Sequence, residues 1–512
     1  MFIGAEIRPL ILAIEDLHWI DRTSKDFINY LLDYISGHRI LLIFTFRPDF
    51  VHTWGRRSFH NEVNLNRLSN RESLLMATNI LGVDVLDRDL EDLILKKTEG
   101  VPFFIEEFIK SLDDLGIIKR NDKCYLAKDI QNLAIPSTVQ DVIMSRIDSL
   151  PPAAKKVLLT GSVIGREFDY NLIKLVVELP EDELLAHLSD LRNSEHIYER
   201  GIYPTVTYIF KHALIQDVAF RSLLKSKRQK YHKKIAHAME QHFPEAVEAH
   251  PEVMGYHFAK AGLKEQAILY WQKAGEIAIR HSANLEATGH FNVAIEMLRT
   301  LPGSPKRAQQ ELNMLFALGP ALMATKGYAA KEVESTFARA KELCLKQGKT
   351  RHLFDVQRGL WGFFIVRGDL KTALDQGEEC SHLAQKEKSP ALLIWSHYMM
   401  GMTLFHLGKL EAAKDYLDKG IVLYDAKKRR VQRALQDPGV ACQSYRAASL
   451  WLLGYPDQAF KASQEALELA KRLKHPFSLM YALYMTTAIC QLLNKVQEAQ
   501  ERAEEADLLC EK

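Results

Sequence analysis

The chain begins with two short, almost purely apolar runs separated by an amphipathic one. Pro9 to Ile14 is continuously apolar and is followed abruptly by the acids Glu15 and Asp16. Ile40 to Phe46 is a second run of this kind, ended by Arg47-Pro48. Between them, Thr23 to Ile35 repeats its apolar positions at helical spacing. Uninterrupted apolar runs read as strands buried on both faces. Strand, helix and strand in that order predict a βαβ unit of a parallel sheet.

From Asn70 to Leu115 the apolar period is helical. Glu99-Gly100-Val101-Pro102 punctuates it, and Phe103 opens a new helix. Ser137 is placed to cap the next helix, with Asp141 in its first turns, and Asp148 to Leu191 continues as short helices. The character changes at His196 to Phe210. Ile197, Tyr198, Val206, Tyr208 and Phe210, with Gly201 and Pro204 between them, predict a β-hairpin. Helices followed by a hairpin suggest a winged-helix module.

After about Leu223 the strand signal ends and a repeat takes over. Arg367-Gly368-Asp369-Leu370-Lys371-Thr372-Ala373, Leu407-Gly408-Lys409-Leu410-Glu411-Ala412-Ala413 and Leu453-Gly454-Tyr455-Pro456-Asp457-Gln458-Ala459 share one form. Leu493-Asn494 to Ala499 is a further copy, and Ala261-Gly262 to Ala267 an earlier one. The spacing is 40 residues from Gly368 to Gly408, 46 from Gly408 to Gly454, and 40 from Gly454 to Asn494. Each copy sits between two apolar helices. Gly ends the first helix in a left-handed turn, and the small Ala lets the second helix approach closely. One such hairpin cannot bury its apolar face, so the units stack. The pattern resembles tetratricopeptide repeats, with a period longer than their roughly 34 residues. Trp361, Trp395 and Trp451 fall within repeat helices, where core packing is the expected role.

A chain of 512 residues is too long for one core, which predicts about three or four domains. A formal net charge of +2 argues against a dedicated nucleic-acid binder. Six scattered cysteines without a Cys-x-x-Cys pair exclude a zinc knuckle or disulfide framework and predict a reducing, cytoplasmic setting. No apolar run approaches the ~20 residues of a membrane helix, and the start has no signal-peptide pattern. Because a strand-like run opens almost at once, we expect a truncated chain or a separated half of a larger protein.

Candidate chemistry lies in Leu10-Ile11-Leu12-Ala13-Ile14-Glu15-Asp16, a Walker B pattern. A buried parallel strand delivers such acids to the carboxyl end of the sheet, where ligands bind. Mg²⁺ takes carboxylate oxygens directly or through water. Glu15 is the expected indirect Mg²⁺ ligand, and Asp16 the catalytic residue that orients or polarises the attacking water. One strand later, Thr45-Phe46-Arg47-Pro48 would set Thr45 and Arg47 beside the γ-phosphate as a sensor. Gly100-Val101-Pro102 supplies a Gly-x-Pro turn opening a helix.

These three motifs, in this order, resemble the STAND signalling NTPases, specifically the ATPase modules attached to bacterial class III adenylate or guanylate cyclases and to serine/threonine kinases. Further matching stretches are Ile135 to Val139 with Arg146 to Leu150, Val163 to Phe168, and Phe210 to Ala219. Asp437-Pro438-Gly439-Val440 fits the cyclase-linked group best. The resemblance implies a switch in which ATP or ADP, with Mg²⁺, sets the packing of nucleotide domain, winged helix and repeats. It also implies that Pro102 contacts the nucleotide base. The fold expected is mainly α: a truncated α/β P-loop NTPase remnant, a helical lid, a winged helix and an α-solenoid. The corresponding segments are 1–66, 67–134, 135–225 and 226–512.

One departure from that pattern is large. The sequence holds no Gly-x-x-x-x-Gly-Lys-Ser/Thr loop, whose amides and Lys would cradle phosphates. Gly161 to Arg166 is Gly-rich but too short, and we read it as packing. Weak or no ATP binding, and no hydrolysis, is therefore expected of this chain alone. With the first strand of such a sheet also missing, Ile40 to Phe46 would present an unpaired edge. The expected partners are a protein bound by the repeats and the missing N-terminal NTPase half or an output domain. Neither DNA nor membrane is expected. His18 and Trp19 read as packing residues of the loop, and Lys427 to Arg430 as a solvated linker. The basic cluster Lys225, Lys227, Arg228, Lys230, Lys233 and Lys234 lies on a helix beside the winged helix. Two alternatives stay open: an ATP-binding transcriptional regulator, disfavoured by a chain ending within a repeat helix, and a non-catalytic scaffold.

Overall fold

A computed structural model of the chain describes residues 1–47, 50–52, 54, 59–120, 124–126, 138–201, 205–348, 350–424 and 436–510. It is mainly helical, with a short α/β segment at the N-terminus and a long run of stacked helix pairs at the C-terminus. The contacts divide it into two units, residues 1–238 and 239–512.

In the first unit, a short helix α1 (Phe2–Ile7) precedes strand β1 (Leu10–Ile14). Helix α2 (Arg22–Tyr34) then crosses over to strand β2 (Ile40–Phe44). The strands pair in parallel, from Leu10↔Ile40 to Ile14↔Phe44. The Asp21 carboxylate caps α2 by accepting the Ser24 N–H at 2.9 Å. Ile28 and Leu32 of α2 pack with Leu17, Trp54, Ile14, Leu42 and Phe44. The expectation of strands buried on both faces is corrected here. Ile11, Leu41 and Ile43 are 66%, 54% and 45% exposed. Side chains alternate along a strand, so these residues share one face with Ala13, and the single crossover helix covers the other.

Three helices follow: α3 (Asn70–Leu81), α4 (Arg88–Thr98) and α5 (Pro102–Asp114). Glu99 and Gly100 are both left-handed, with φ of 49° and 73°, and reverse the chain between α4 and α5. A Cβ at Gly100 would collide with the Leu68 carbonyl oxygen, so this turn requires glycine. A small antiparallel hairpin, β3 (Ile118–Arg120) and β4 (Cys124–Leu126), closes this group and was not anticipated from the sequence.

Helix α6 (Val139–Ser149) is capped by Thr138, not Ser137, which lies outside the described residues. Thr138 and Asp141 form a reciprocal capping box. Then come α7 (Pro152–Ile164), β5 (Glu167–Asp169), α8 (Tyr170–Val177), α9 (Glu181–Asn193), β6 (Ile197–Arg200) and β7 (Thr207–Phe210). The β6–β7 hairpin is the one predicted, but β7 also pairs with β5, a strand hidden in a stretch that reads as helical. Phe168, Tyr170, Tyr208 and Phe210 fill the core beneath this three-stranded sheet. Helices α10 (Ala213–Ser222) and α11 (Lys225–His242) follow.

The second unit continues with α12 (Pro244–Ala249), α13 (Pro251–Lys260), α14 (Lys264–Arg280), α15 (Asn284–Arg299), α16 (Pro305–Lys326), α17 (Lys331–Gln347) and α18 (Thr350–Arg367). Its remaining helices are α19 (Leu370–Lys386), α20 (Pro390–His406), α21 (Leu410–Leu423), α22 (Pro438–Leu452), α23 (Pro456–Leu473), α24 (Pro476–Leu492) and α25 (Val496–Cys510). Consecutive helices from α13 onward pack in series. The repeat positions behave as their residue types dictate. Gly262, Gly368, Gly408, Gly454 and Asn494 all have φ between 55° and 88°. Ala267, Ala373, Ala413 and Ala459 have no exposed surface. Small residues also receive rings: a Cβ at Gly319 or Gly359 would lie 2.5 Å from the Phe337 ring.

At Gly401 a Cβ would sit 2.5 Å from Leu417 of the facing helix. We expect Gly401→Val to cost about 1–3 kcal/mol by overpacking α20 against α21. Gly408→Ala should cost about 1 kcal/mol through its left-handed backbone. Urea denaturation of both variants checks this; wild-type midpoints would contradict the hairpin packing.

Candidate functional site

The residues at the carboxyl ends of β1 and β2 are organised by one threonine. The Thr45 N–H donates to the Ile14 carbonyl at 3.1 Å, extending the ladder past the strand. Its carbonyl accepts the Leu17 N–H at 2.8 Å, and its Oγ1 accepts the Asp16 N–H at 3.1 Å. These bonds hold Asp16 in the left-handed region, at φ 54° and ψ 41°, before a short 3-10 turn at Leu17–Trp19. Asp tolerates that conformation better than most residues. Leu17 is buried beneath the turn, which turns Glu15 outward and leaves Asp16 half-buried. The Arg47 guanidinium lies 5.8 Å from the centroid of the Trp19 ring. The His18 ring is 5.3 Å from that of Trp19, and neither of its buried nitrogens has a hydrogen-bond partner among the described residues.

Glu15, Asp16, Thr45 and Arg47 are thus gathered at one end of the parallel pair. Pro102 is not tied to them. It is the first residue of α5, in a turn held by the Leu68 N–H donating to the Gly100 carbonyl at 2.8 Å. Among the described residues, no hydrogen bond, ion pair or ring contact links Pro102 to the acidic loop.

One residue of the site escaped sequence reasoning. Arg166 Nη1 donates to Asp16 Oδ2 at 2.9 Å, across 150 positions of sequence. Its stretch, Val163 to Phe168, carries a family resemblance and Gly161 to Arg166 a packing signal, but neither assigns Arg166 a role; the packing is present, since a Cβ at Gly161 would lie 2.8 Å from the Phe168 ring. No local spacing announces a contact of this range.

Helix α5 is bolted to the region of the three-stranded sheet by two ionic clusters. Arg146 and Glu107 pair at 2.5 Å, with side chains 5% and 1% exposed. Arg146 also donates to the Ser194 carbonyl at 2.7 Å. Beside them Lys211 donates to Glu106 at 2.8 Å and to Glu195 at 2.7 Å, and Lys110 binds the same two carboxylates. The hydrogen bonds from Lys110 and Lys211 hold the Glu195 pKa down at about 2. Burial, reinforced by the Arg146 charge, pushes His196 down to about 3, so its ring is neutral. His196 Nδ1 lies 2.9 Å from the Ser194 hydroxyl.

The donor set at the acidic loop suits a hard cation. Mg²⁺ typically takes one or two carboxylates and completes its shell with water and substrate phosphates. Glu15 and Asp16 offer two carboxylates, and no group of three or more metal-ligating side chains gathers anywhere among the described residues. A phosphate cradle is a different matter. The one Gly-Lys-Thr in the sequence, 348–350, has Leu343 where the loop motif needs glycine. Gly348 there is the left-handed cap of α17 and Thr350 opens α18, while Lys349 lies outside the described residues.

The remaining features read plainly. Cys124, Cys344, Cys380, Cys442 and Cys490 are buried and take part in no disulfide. Trp361 is buried and donates to Thr403 Oγ1 at 2.9 Å. On α11, Lys234 pairs with Glu178 at 2.8 Å and Arg228 lies over the Phe220 ring. Lys427 to Arg430 lies outside the described residues. Among the described residues, no helix is long and apolar enough to cross a membrane.

A family described as a domain of unknown function (DUF8739) matches residues 69–124, the stretch from the cap of α3 to the start of β4. An uncharacterized protein of Rhizobium meliloti (strain 1021) is 25% identical over 483 residues, covering 93% of this chain and 46% of its own length. Hybrid signal transduction histidine kinase G of Dictyostelium discoideum is 25% identical over 123 residues, 23% of this chain and 4% of that protein. The chain therefore spans less than half the length of either relative. Among solved structures, a signal transduction ATPase with numerous domains (STAND) with a tetratricopeptide repeat sensor, from Pyrococcus horikoshii, aligns over 97% of this chain and 74% of its own. The sequence identity is 14% and the TM-score 0.35.

The buried bolt makes two predictions. Arg146→Met leaves Glu107 buried and unpaired, which should cost about 3–5 kcal/mol, while Glu107→Leu with Arg146→Met should recover most of it. Chemical denaturation of both reads this directly. His196 is neutral when folded but binds a proton below about pH 6.5 when unfolded. The unfolded state then holds more protons, so stability is lost as pH falls from about 6.5 towards 3. His196→Gln should lessen the loss between pH 7 and pH 5 by about 2 kcal/mol. Identical pH dependence in the variant would contradict the burial of that ring.

Proposed function

We propose that this chain is the regulatory part of a signalling ATPase, in which a Mg²⁺–nucleotide site controls a lid, a winged-helix-like module and a protein-binding repeat solenoid. One observation carries the reading: a parallel strand pair that ends in two acids, beside a threonine that shapes their loop. Open α/β sheets bind ligands at that end. In this reading Glu15 holds the Mg²⁺ shell through water, and Asp16 orients the attacking water. Arg47 meets the γ-phosphate. Thr45, whose hydroxyl already accepts the Asp16 N–H, acts by setting the loop's shape. Pro102 contacts the base from the start of α5. ATP or ADP is the ligand and Mg²⁺ the metal.

The phosphate cradle that this reading requires is not in the 512-residue sequence, so we expect no hydrolysis of ATP by this chain alone. The exposed face formed by Ile11, Ala13, Leu41 and Ile43, and strand edges that no described residue pairs, suit a partner that completes the sheet, since parallel sheets are normally covered on both sides. The solenoid presents stacked helix pairs, an architecture that makes extended binding surfaces for other proteins. The name of the Dictyostelium relative supports a signalling role. A link to a nucleotide cyclase or a protein kinase remains the output we favour.

Calorimetry of the isolated chain with Mg·ATP should detect no binding in the submicromolar range; submicromolar affinity would contradict the need for an outside cradle. In a protein reconstituted with a phosphate-loop half, Asp16→Asn should slow hydrolysis at least about 100-fold. Asn keeps the left-handed backbone, so ATP affinity should change little. Unchanged turnover would remove Asp16 from its role.

A further inference from the structure

Arg166 is fixed from below. It follows the C-cap of α7, where the Gly165 N–H donates to the Gly161 carbonyl at 3.1 Å. Its own carbonyl accepts the Phe210 N–H at 3.0 Å, which ties it to β7. Its sequence neighbour Glu167 is taken by Arg200 at 2.6 Å. The guanidinium is left to Asp16, which Thr45 fixes from its own side. The two side chains are 45% and 44% exposed. A pair so open to water adds little stability, so its exchange for another partner costs little.

We infer that Arg166 is an internal counter-cation for Asp16, neutralising this carboxylate in place of the divalent cation that the adjoining Glu15 holds beside it when nucleotide is bound, so that the bridge and the metal exclude each other. The bridge stands on its own geometry; what displaces it rests on the nucleotide reading above. Arginine carries only donors and stays charged at any ordinary pH. It therefore competes with a metal for a carboxylate and leaves only by moving away. Its platform, the three-stranded sheet, continues through Lys211 to Glu106, and Arg146 and Ser194 join the same region to Glu107. Both acids lie on α5, whose first residue is Pro102. Displacing Arg166 from Asp16 thus frees the module that is bolted to the Gly-x-Pro helix. Arg166 is a positioning residue acting through Asp16.

The test uses the full chain with Arg166→Gln, Asp16→Asn and the double variant; Asn retains the left-handed backbone at position 16. Hydrogen exchange of peptides covering residues 10–20 and 163–169 should rise several-fold in each single variant, and the double should rise no further. Unchanged singles, or additive effects in the double, would overturn the bridge. Free Mn²⁺, counted by electron paramagnetic resonance, then tests the competition. Arg166→Gln should bind Mn²⁺ on the order of five-fold more tightly than wild type, and the double variant no more tightly than wild type. Equal affinity of wild type and Arg166→Gln would overturn the exclusion, as would tighter binding that persists in the double. If no variant binds Mn²⁺ while the exchange data still show coupling, the metal reading and the competition both fall and the bridge alone stands.

Discussion

Everything at the acidic loop depends on the register of two five-residue parallel strands. Because Ile14 pairs with Phe44, Thr45 is the first residue past the ladder on one strand and Glu15 on the other. A slip of one residue would turn every side chain to the opposite face. It would also carry Thr45 out of reach of the Asp16 N–H. Backbone hydrogen bonds therefore decide where two carboxylates stand, and a single hydroxyl then holds one of them in a conformation few residues adopt. The apolar side chains of α2 secure the register by packing on one face of the pair.

The same economy of contacts governs the rest of the first unit. Glu107 and Arg146 are almost wholly buried, and such a pair adds little net stability over an apolar one while penalising any arrangement that separates its partners. It specifies how α5 meets α6. The neighbouring lysines repeat the specification at the surface, where Lys110 and Lys211 share Glu106 and Glu195. Against these tight junctions, the half-exposed Asp16–Arg166 pair is the weak one. The proposed switch would draw on that contrast between buried junctions and a water-exposed contact.

In the second unit stability is local and repeated. The hairpins with turns at Gly262, Gly368, Gly408, Gly454 and Asn494 each use a residue that accepts a left-handed turn and an alanine small enough for close helix approach. The larger gaps are filled by rings set against glycines, as with Phe337 between Gly319 and Gly359. Contacts run mainly between neighbours in sequence, so a window of about forty residues already contains most of what each repeat needs.

That locality explains what could be read without coordinates. Helix and strand periods, the hairpin at Ile197 to Phe210, the repeat turns and the placing of Glu15, Asp16 and Thr45 at neighbouring strand ends follow from patterns a few residues wide, or from one strand following another across a right-handed crossover. Short strands were harder: β5 and the β3–β4 hairpin are three residues each, too short to set a period. The both-face burial predicted for β1 and β2 failed because composition reports that a strand is apolar, not whether anything lies over it. The contact of Arg166 with Asp16 was invisible for a stronger reason, since the two are 150 positions apart and only the fold brings them together. The sequence by itself determined the elements, the turns between them and the acids at a strand end, because those are short-range consequences of residue shape and spacing. The tertiary structure alone decided which face stays open, which charges are buried together and which arginine answers Asp16, because those depend on distances that no local pattern encodes.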